Sequence, residues 1–310
     1  MQLNIKLAAL SVMIVVSAFS SGVFAHEPGE GHEPGEPVEF NEILAKDRPE
    51  AWAMKLVGSE LLLTSMGVPK RIRTGQIELG AEAGWLPSLS EEQMLIGFNG
   101  TKREDMNRTS LFARPRVTLG APADISVTVA YILPIRISGI RPNVGSLSVG
   151  RPLWQRSRWR LGGRVFAQYG TLKGDITCDR DTVAAGEDPV RNPYMCEAPS
   201  NDAMTIRSVG VELASAFALS DRLEPYVGGA WTYFDTEFQT DAHHSGAVDR
   251  SLLTASGPTF ALTAGLSYRA SDRIRLSGEL FYTPLDVARQ GVRLGDDLVN
   301  LRAGIFYLLR

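Results

Sequence analysis

From Gly75 to the last residue, apolar and polar side chains alternate with a period of two, the spacing of β-strands whose two faces meet different surroundings. Ile77, Leu79, Ala81, Ala83 and Trp85 share one face of the first such run, and Gln76, Glu78, Gly80 and Glu82 share the other. Ile125, Val127, Val129, Tyr131 and Leu133 repeat the pattern, as do Trp159–Tyr169, Val209–Phe217, Val227–Tyr233, Phe260–Tyr268, Ile274–Tyr282 and Leu301–Leu309. With two more runs near Leu111–Leu119 and Val144–Arg151, the chain holds about ten strands, within eight to twelve.

The apolar face carries aromatics near strand ends: Trp85, Tyr131, Trp159, Tyr169, Tyr268, Tyr282 and Tyr307. The other face mixes Gly, Ser and Thr with six arginines (114, 116, 160, 164, 275, 302) and five glutamates (78, 82, 212, 224, 279). Connector lengths decide which face is outside. Tight turns at 120–123, 155–157, 220–222 and 271–273 alternate with longer links at 87–109, 135–141, 172–203, 240–252 and 284–296. Short turns on one side and long loops on the other are the pattern of a membrane barrel, with the apolar face toward lipid. The expected fold is all-β: a transmembrane antiparallel up-and-down barrel over 75–310, preceded by a short N-terminal α-helix.

That helix is read over 47–67, with Asp47 as N-cap, Pro49 in the first turn, Glu50 completing a capping box, and Gly67 and Pro69 stopping it. Trp52, Leu56, Leu61, Leu62 and Met66 cover much of its circumference, so it needs a partner surface, against the barrel or inside its mouth. Upstream, Lys6, the apolar run Leu7–Phe19 and the ending Val23-Phe24-Ala25 read as a signal peptide over 1–25. Residues 26–46 read as a disordered acidic linker, in which His26-Glu27-Pro28-Gly29-Glu30 recurs as His32-Glu33-Pro34-Gly35-Glu36. A chelating N-terminus at His26 and His32 is the alternative reading of that repeat.

Signal peptide, alternation, loop order and a strand at the extreme C-terminus resemble Gram-negative outer-membrane β-barrel proteins. Tyr307 stands near the position of that family's terminal aromatic insertion signal, followed here by Leu309 and Arg310. The resemblance implies outer-membrane lipids and the barrel-insertion machinery as partners, and both mature termini on the periplasmic side.

Composition sharpens the picture in three places. A net charge of −3 excludes an ordinary nucleic-acid binder. Two cysteines, Cys178 and Cys196, share one long loop of an exported chain and are read as a disulfide. The loop also gathers acids that could hold Ca²⁺, but their spacing fits no EF-hand loop, so no metal or cofactor is expected. Asp241 and His243, set against Asp179 and Asp181, resemble the catalytic group of the omptin proteases. The favoured expectation is non-enzymatic: passage or binding of small solutes through a narrow charged lumen. Surface adhesion through the long loops is the alternative, and an omptin-like protease the lesser one. About ten strands leave little room inside. Arg114, Arg160, Arg164, Arg275 and Arg302 are therefore expected to pair with Glu78, Glu82, Glu212 and Glu279 as a charge ladder across a lumen closed at rest.

Overall fold

A computed structural model describes residues 37–309; the expected signal peptide and residues 26–36 of the expected linker lie outside the described residues. Ten strands form one closed antiparallel ring: β1 (Ile77–Trp85), β2 (Leu111–Ala121), β3 (Ile125–Ile132), β4 (Arg141–Arg156), β5 (Trp159–Gly174), β6 (Asp202–Phe217), β7 (Leu223–Gln239), β8 (Leu252–Arg269), β9 (Ile274–Thr283) and β10 (Leu298–Leu308). Each pairs with its sequence neighbours, and β10 closes onto β1 through Ile305↔Ala81 and Leu301↔Trp85. The strand number, up-and-down order and alternation of links follow the sequence reading. Links 122–124, 157–158, 218–222 and 270–273 lie at one end, and 86–110, 133–140, 175–201, 240–251 and 284–297 at the other.

The apolar face points outward. Val165 is 55% exposed, Val209 56%, Leu262 56% and Leu301 57%, which in water would be a large loss and in lipid is none. Trp159 and Tyr169 mark two aromatic levels on β5, ten residues apart and so about 33 Å along the strand. Tilted by about 40°, that spans about 25 Å, the height of an outer-membrane apolar band. No described helix is long and apolar enough to cross a membrane.

One helix, α1 (Pro49–Glu60), is buried on nearly all its surface inside the ring, against β7, β8 and β10. Trp52, Leu56, Leu61 and Leu62 pack with inward-facing Phe112, Phe166, Phe234 and Phe281. Inward glycines make room for these rings: a Cβ on Gly84 would lie 2.2 Å from the Phe112 ring. The helix departs from the sequence reading at both ends. Its N-cap is Arg48, without a side-chain cap, and Arg48 instead pairs with Glu50 at 3.0 Å. It stops at Glu60 rather than Gly67, because the carbonyls beyond it are taken by side chains of the wall, as described below.

The chain before α1 runs along the long-loop rim. Pro37–Val38 pairs with Ala247–Asp249 in the link after β7, and Asn41–Ile43 with Leu252–Thr254 at the long-loop end of β8. Leu308 ends at the short turns, bonded to Arg273 O. The described residues therefore begin at the long-loop end of the barrel and finish at the short turns, and the expected mature N-terminus lies outside them. The cause is the direction of the plug: α1 and residues 61–76 run down the lumen to reach the start of β1.

Candidate functional site

The inward arginines do not chiefly bridge the lumen to carboxylates; they hold the chain that fills it. Residues 61–66 leave the helix and present bare carbonyls to the wall. Arg114 donates to Leu61 O at 2.8 Å and Leu62 O at 2.9 Å. Arg302 donates to Leu62 O at 2.6 Å, Ser59 O at 3.2 Å and Glu60 O at 3.3 Å. Arg116 reaches Thr64 O at 3.2 Å, Arg164 reaches Leu63 O, and Arg275 reaches Met66 O at 2.9 Å. Five wall arginines thus satisfy the C-terminal end of α1 and the turn after it, where the helix dipole favours positive charge.

The carboxylates pair beside them, mostly along the wall. Glu82 accepts from Arg114 at 2.6 Å on the adjacent strand and from Arg116 at 3.2 Å, and Glu212 accepts from Arg164 at 2.6 Å directly opposite. Arg275 pairs with Glu78 at 3.0 Å, and Arg160 pairs with Glu224. Glu279 lies opposite Arg302 in register but accepts from the Tyr226 hydroxyl at 3.0 Å, since Arg302 is spent on the helix end. Thus the lumen charges face inward, yet the plug chain, rather than a cross-lumen ladder, occupies the axis.

Above this polar floor the long-loop half encloses a cavity of about 880 Å³. It is lined by Met54, Val57 and Leu61 of the plug and by Leu172 and Met204 of the wall, but also by Leu111, Ala113, Pro115, Leu133 and Ile135. Leu111, Ala113 and Pro115 are outward-facing, so the cavity passes through the wall. The ladder shows why. β1–β2 pairing runs the full length to Trp85↔Leu111, whereas β2–β3 pairing ends at Arg116↔Ala130. Pro115 has no N–H to extend it, and Pro134 follows the end of β3. β3 has only 8 residues beside the 16 of β4. A lateral gap remains between the upper part of β2 and the 133–140 link. Glu104 lines the same cavity with Lys102 2.7 Å away; burial, opposed by Lys102, pushes its carboxyl up to about 7.

The remaining sequence candidates fall in the long loops. Cys178 and Cys196 are joined as a disulfide. Cys196–Ala198, Ala242–His244, Ala247–Asp249 and Pro37–Val38 form a four-stranded sheet over the barrel rim. The His243 side chain is exposed and engages no hydrogen bond or ion pair among the described residues, while Asp179 caps the helical turn 180–184 by accepting from Thr182 N. The pair that should orient a base is therefore not assembled. Among the described residues no group of acids, histidines and cysteines suits a metal ion. The sequence reading missed the plug carbonyls, which leave no side-chain signal, and the gap, for which Pro115 and Pro134 were the available sign.

A closed even-stranded ring, an apolar outer belt between aromatic levels, and short turns opposite long loops define a transmembrane β-barrel of the outer-membrane type. Neither a protein-family model nor a curated protein sequence matches the chain. Among solved structures, it is similar to an outer membrane channel from Pseudomonas putida F1, at 9% identity over 80% of this chain and 100% of that one, with a TM-score of 0.43. It is also similar to the outer membrane protease OmpT from Escherichia coli, at 11% identity over 76% and 94%, with a TM-score of 0.41. The Pseudomonas putida toluene transporter TodX matches at 13% identity over 81% of each chain, with a TM-score of 0.33.

Proposed function

We propose that this barrel binds a small apolar molecule in the cavity of its long-loop half, without chemical conversion, and admits it from the outer leaflet through the gap above β3. The long loops face the outside of the cell and the short turns the periplasm. The observation that carries the reading is the cavity lining, which continues from Val57 and Leu61 in the lumen to Leu111 and Pro115 on the lipid side. A volume of about 880 Å³ lies in the range of small-molecule sites. A bare ladder edge at membrane depth costs several kcal/mol per unsatisfied group unless it lines a cavity, which gives the gap a use. The arginine-held plug leaves no open aqueous bore beneath it.

The test is titration of the refolded barrel with an apolar fluorescent probe such as N-phenyl-1-naphthylamine. Ala113→Trp, which fills the gap from the lipid side, and Val57→Trp, which fills the cavity, should each weaken binding at least tenfold. Equal probe binding by wild type and both variants would sink the proposal. The adhesion reading draws on the disulfide-linked rim sheet; a host or matrix ligand whose binding disappears on deleting 175–201 would favour it.

A further inference from the structure

A second, smaller cavity of about 350 Å³ opens at the opposite end, among the short turns. Its lining carries six cations, Lys70, Arg158, Arg160, Arg222, Arg269 and Arg275, against two carboxylates, Asp221 and Glu224. They come from four places in the fold: the chain below the plug, the β4–β5 turn with the start of β5, the β6–β7 turn, and the facing ends of β8 and β9. Such convergence is a property of the closed ring and not of one charged segment.

Two of the six are already used, Arg160 by Glu224 and Arg275 by Glu78 and Met66 O. The side chains of Lys70, Arg158, Arg222 and Arg269 make no hydrogen bond or ion pair with any described residue. Burial, together with Arg275, Arg160 and Arg269, pushes the Lys70 amine well below its ordinary value, and Glu78 is the carboxylate that opposes the shift. Unpaired like charges crowded in one concavity repel, and the low-dielectric walls of a barrel mouth concentrate their field. A multiply charged oxyanion relieves this better than a monoanion, because several guanidinium forks can each take two oxygens.

We infer that the short-turn mouth is a binding site for a phosphate-bearing anion, either a free phosphate compound or the headgroup of an anionic lipid. Lys70, Arg222 and Arg269 supply the free donors, and Arg160 and Arg275, held by Glu224 and Glu78, form the fixed wall. The site is separate from the apolar cavity, with residues 61–69 between them, so the two readings stand or fall separately.

The experiment uses the full barrel in uncharged maltoside detergent. Isothermal titration with pyrophosphate at 50 mM NaCl should show binding that weakens at least tenfold in Arg222→Gln/Arg269→Gln and at 500 mM salt, but not in Arg250→Gln, which lies among the long loops. In the lipid arm, protein extracted from phosphatidylglycerol vesicles is weighed by native mass spectrometry. Lipid retained by wild type and lost by the double variant makes the headgroup the occupant. Heat-modifiable gel mobility confirms that each variant is folded. If pyrophosphate and phosphatidylglycerol both bind wild type and double variant alike, or neither binds wild type, the inference is overturned.

Discussion

Arg302 offers the sharpest test of an arginine-held plug. Arg302→Met keeps bulk over Phe281, whose ring centre lies 4.0 Å from the guanidinium carbon, but removes the donors to Ser59 O, Glu60 O and Leu62 O. Leu62 O keeps Arg114 at 2.9 Å, so two carbonyls and the helix end lose their cation. A hydrogen bond to a charged group is worth about 1.5–3 kcal/mol, and a cation at a helix C-terminus about 1 more, with overlap between them. The loss comes to about 4 kcal/mol, or roughly a thousandfold in the ratio of seated to released plug. The wall itself is held by backbone ladders that do not pass through this side chain. Refolded wild type in a planar bilayer should give a flat baseline. Arg302→Met should give brief openings, and Arg114→Met/Arg302→Met longer ones, while heat-modifiable gel mobility stays that of a folded barrel. Flat traces from both variants, with α1 as resistant to trypsin as in wild type, would refute the reasoning.

Two further outcomes follow from the rim and the wall. Glu104 has a folded value of about 7, above its unfolded one, so the fold favours its protonated form. Stability is then fullest below the unfolded value near 4.5 and is lost as pH rises through about 7, by about 3 kcal/mol in all. The decline in thermal midpoint between pH 5 and 8 should shrink in Glu104→Gln, and an unchanged slope would remove Glu104 as its cause. Val165→Arg, midway along β5 on the lipid face, should destabilise by about 2–4 kcal/mol in urea titrations of vesicle-inserted protein, because the guanidinium sits in hydrocarbon. A neutral effect would place that face in water.

Much of the wall was legible because it is written twice, in the period of two and in the order of link lengths. Leu79, Val127 and Val209 could be placed on one face without knowing their neighbours, since alternation is local and lipid tolerates any apolar residue. The interior was less legible. Arg114 and Arg302 were readable as inward-facing, but a guanidinium is satisfied equally by a carboxylate or by a carbonyl, and carbonyls carry no letter in a sequence. Glu279 could be set opposite Arg302, yet the competing claim of Ser59 O and Glu60 O depends on where α1 docks. The same unseen docking decided the direction of entry, because residues 37–43 follow the helix to the long-loop rim.

The two halves of the lumen divide the chemistry that a passing molecule would meet. Below, Arg114, Arg164 and Arg275 hold the carbonyls of residues 61–66, so the plug chain takes the axis that a polar solute would follow. Above, Phe112 and Phe166 meet the apolar side of α1, and Pro115 ends the ladder where β3 is shortest. In the proposed reading, an apolar molecule dissolved in the outer leaflet would enter along Leu111 and Pro115 and settle against Val57 and Leu61, with the charged side chains Glu82 and Arg114 at the base of the same cavity. A helix held only by apolar packing could slide, since such contacts are non-directional. Arg302 on the last helical carbonyls, with four more guanidinium groups on the carbonyls of residues 61–66, fixes the depth of the helix and so the floor of the cavity above it.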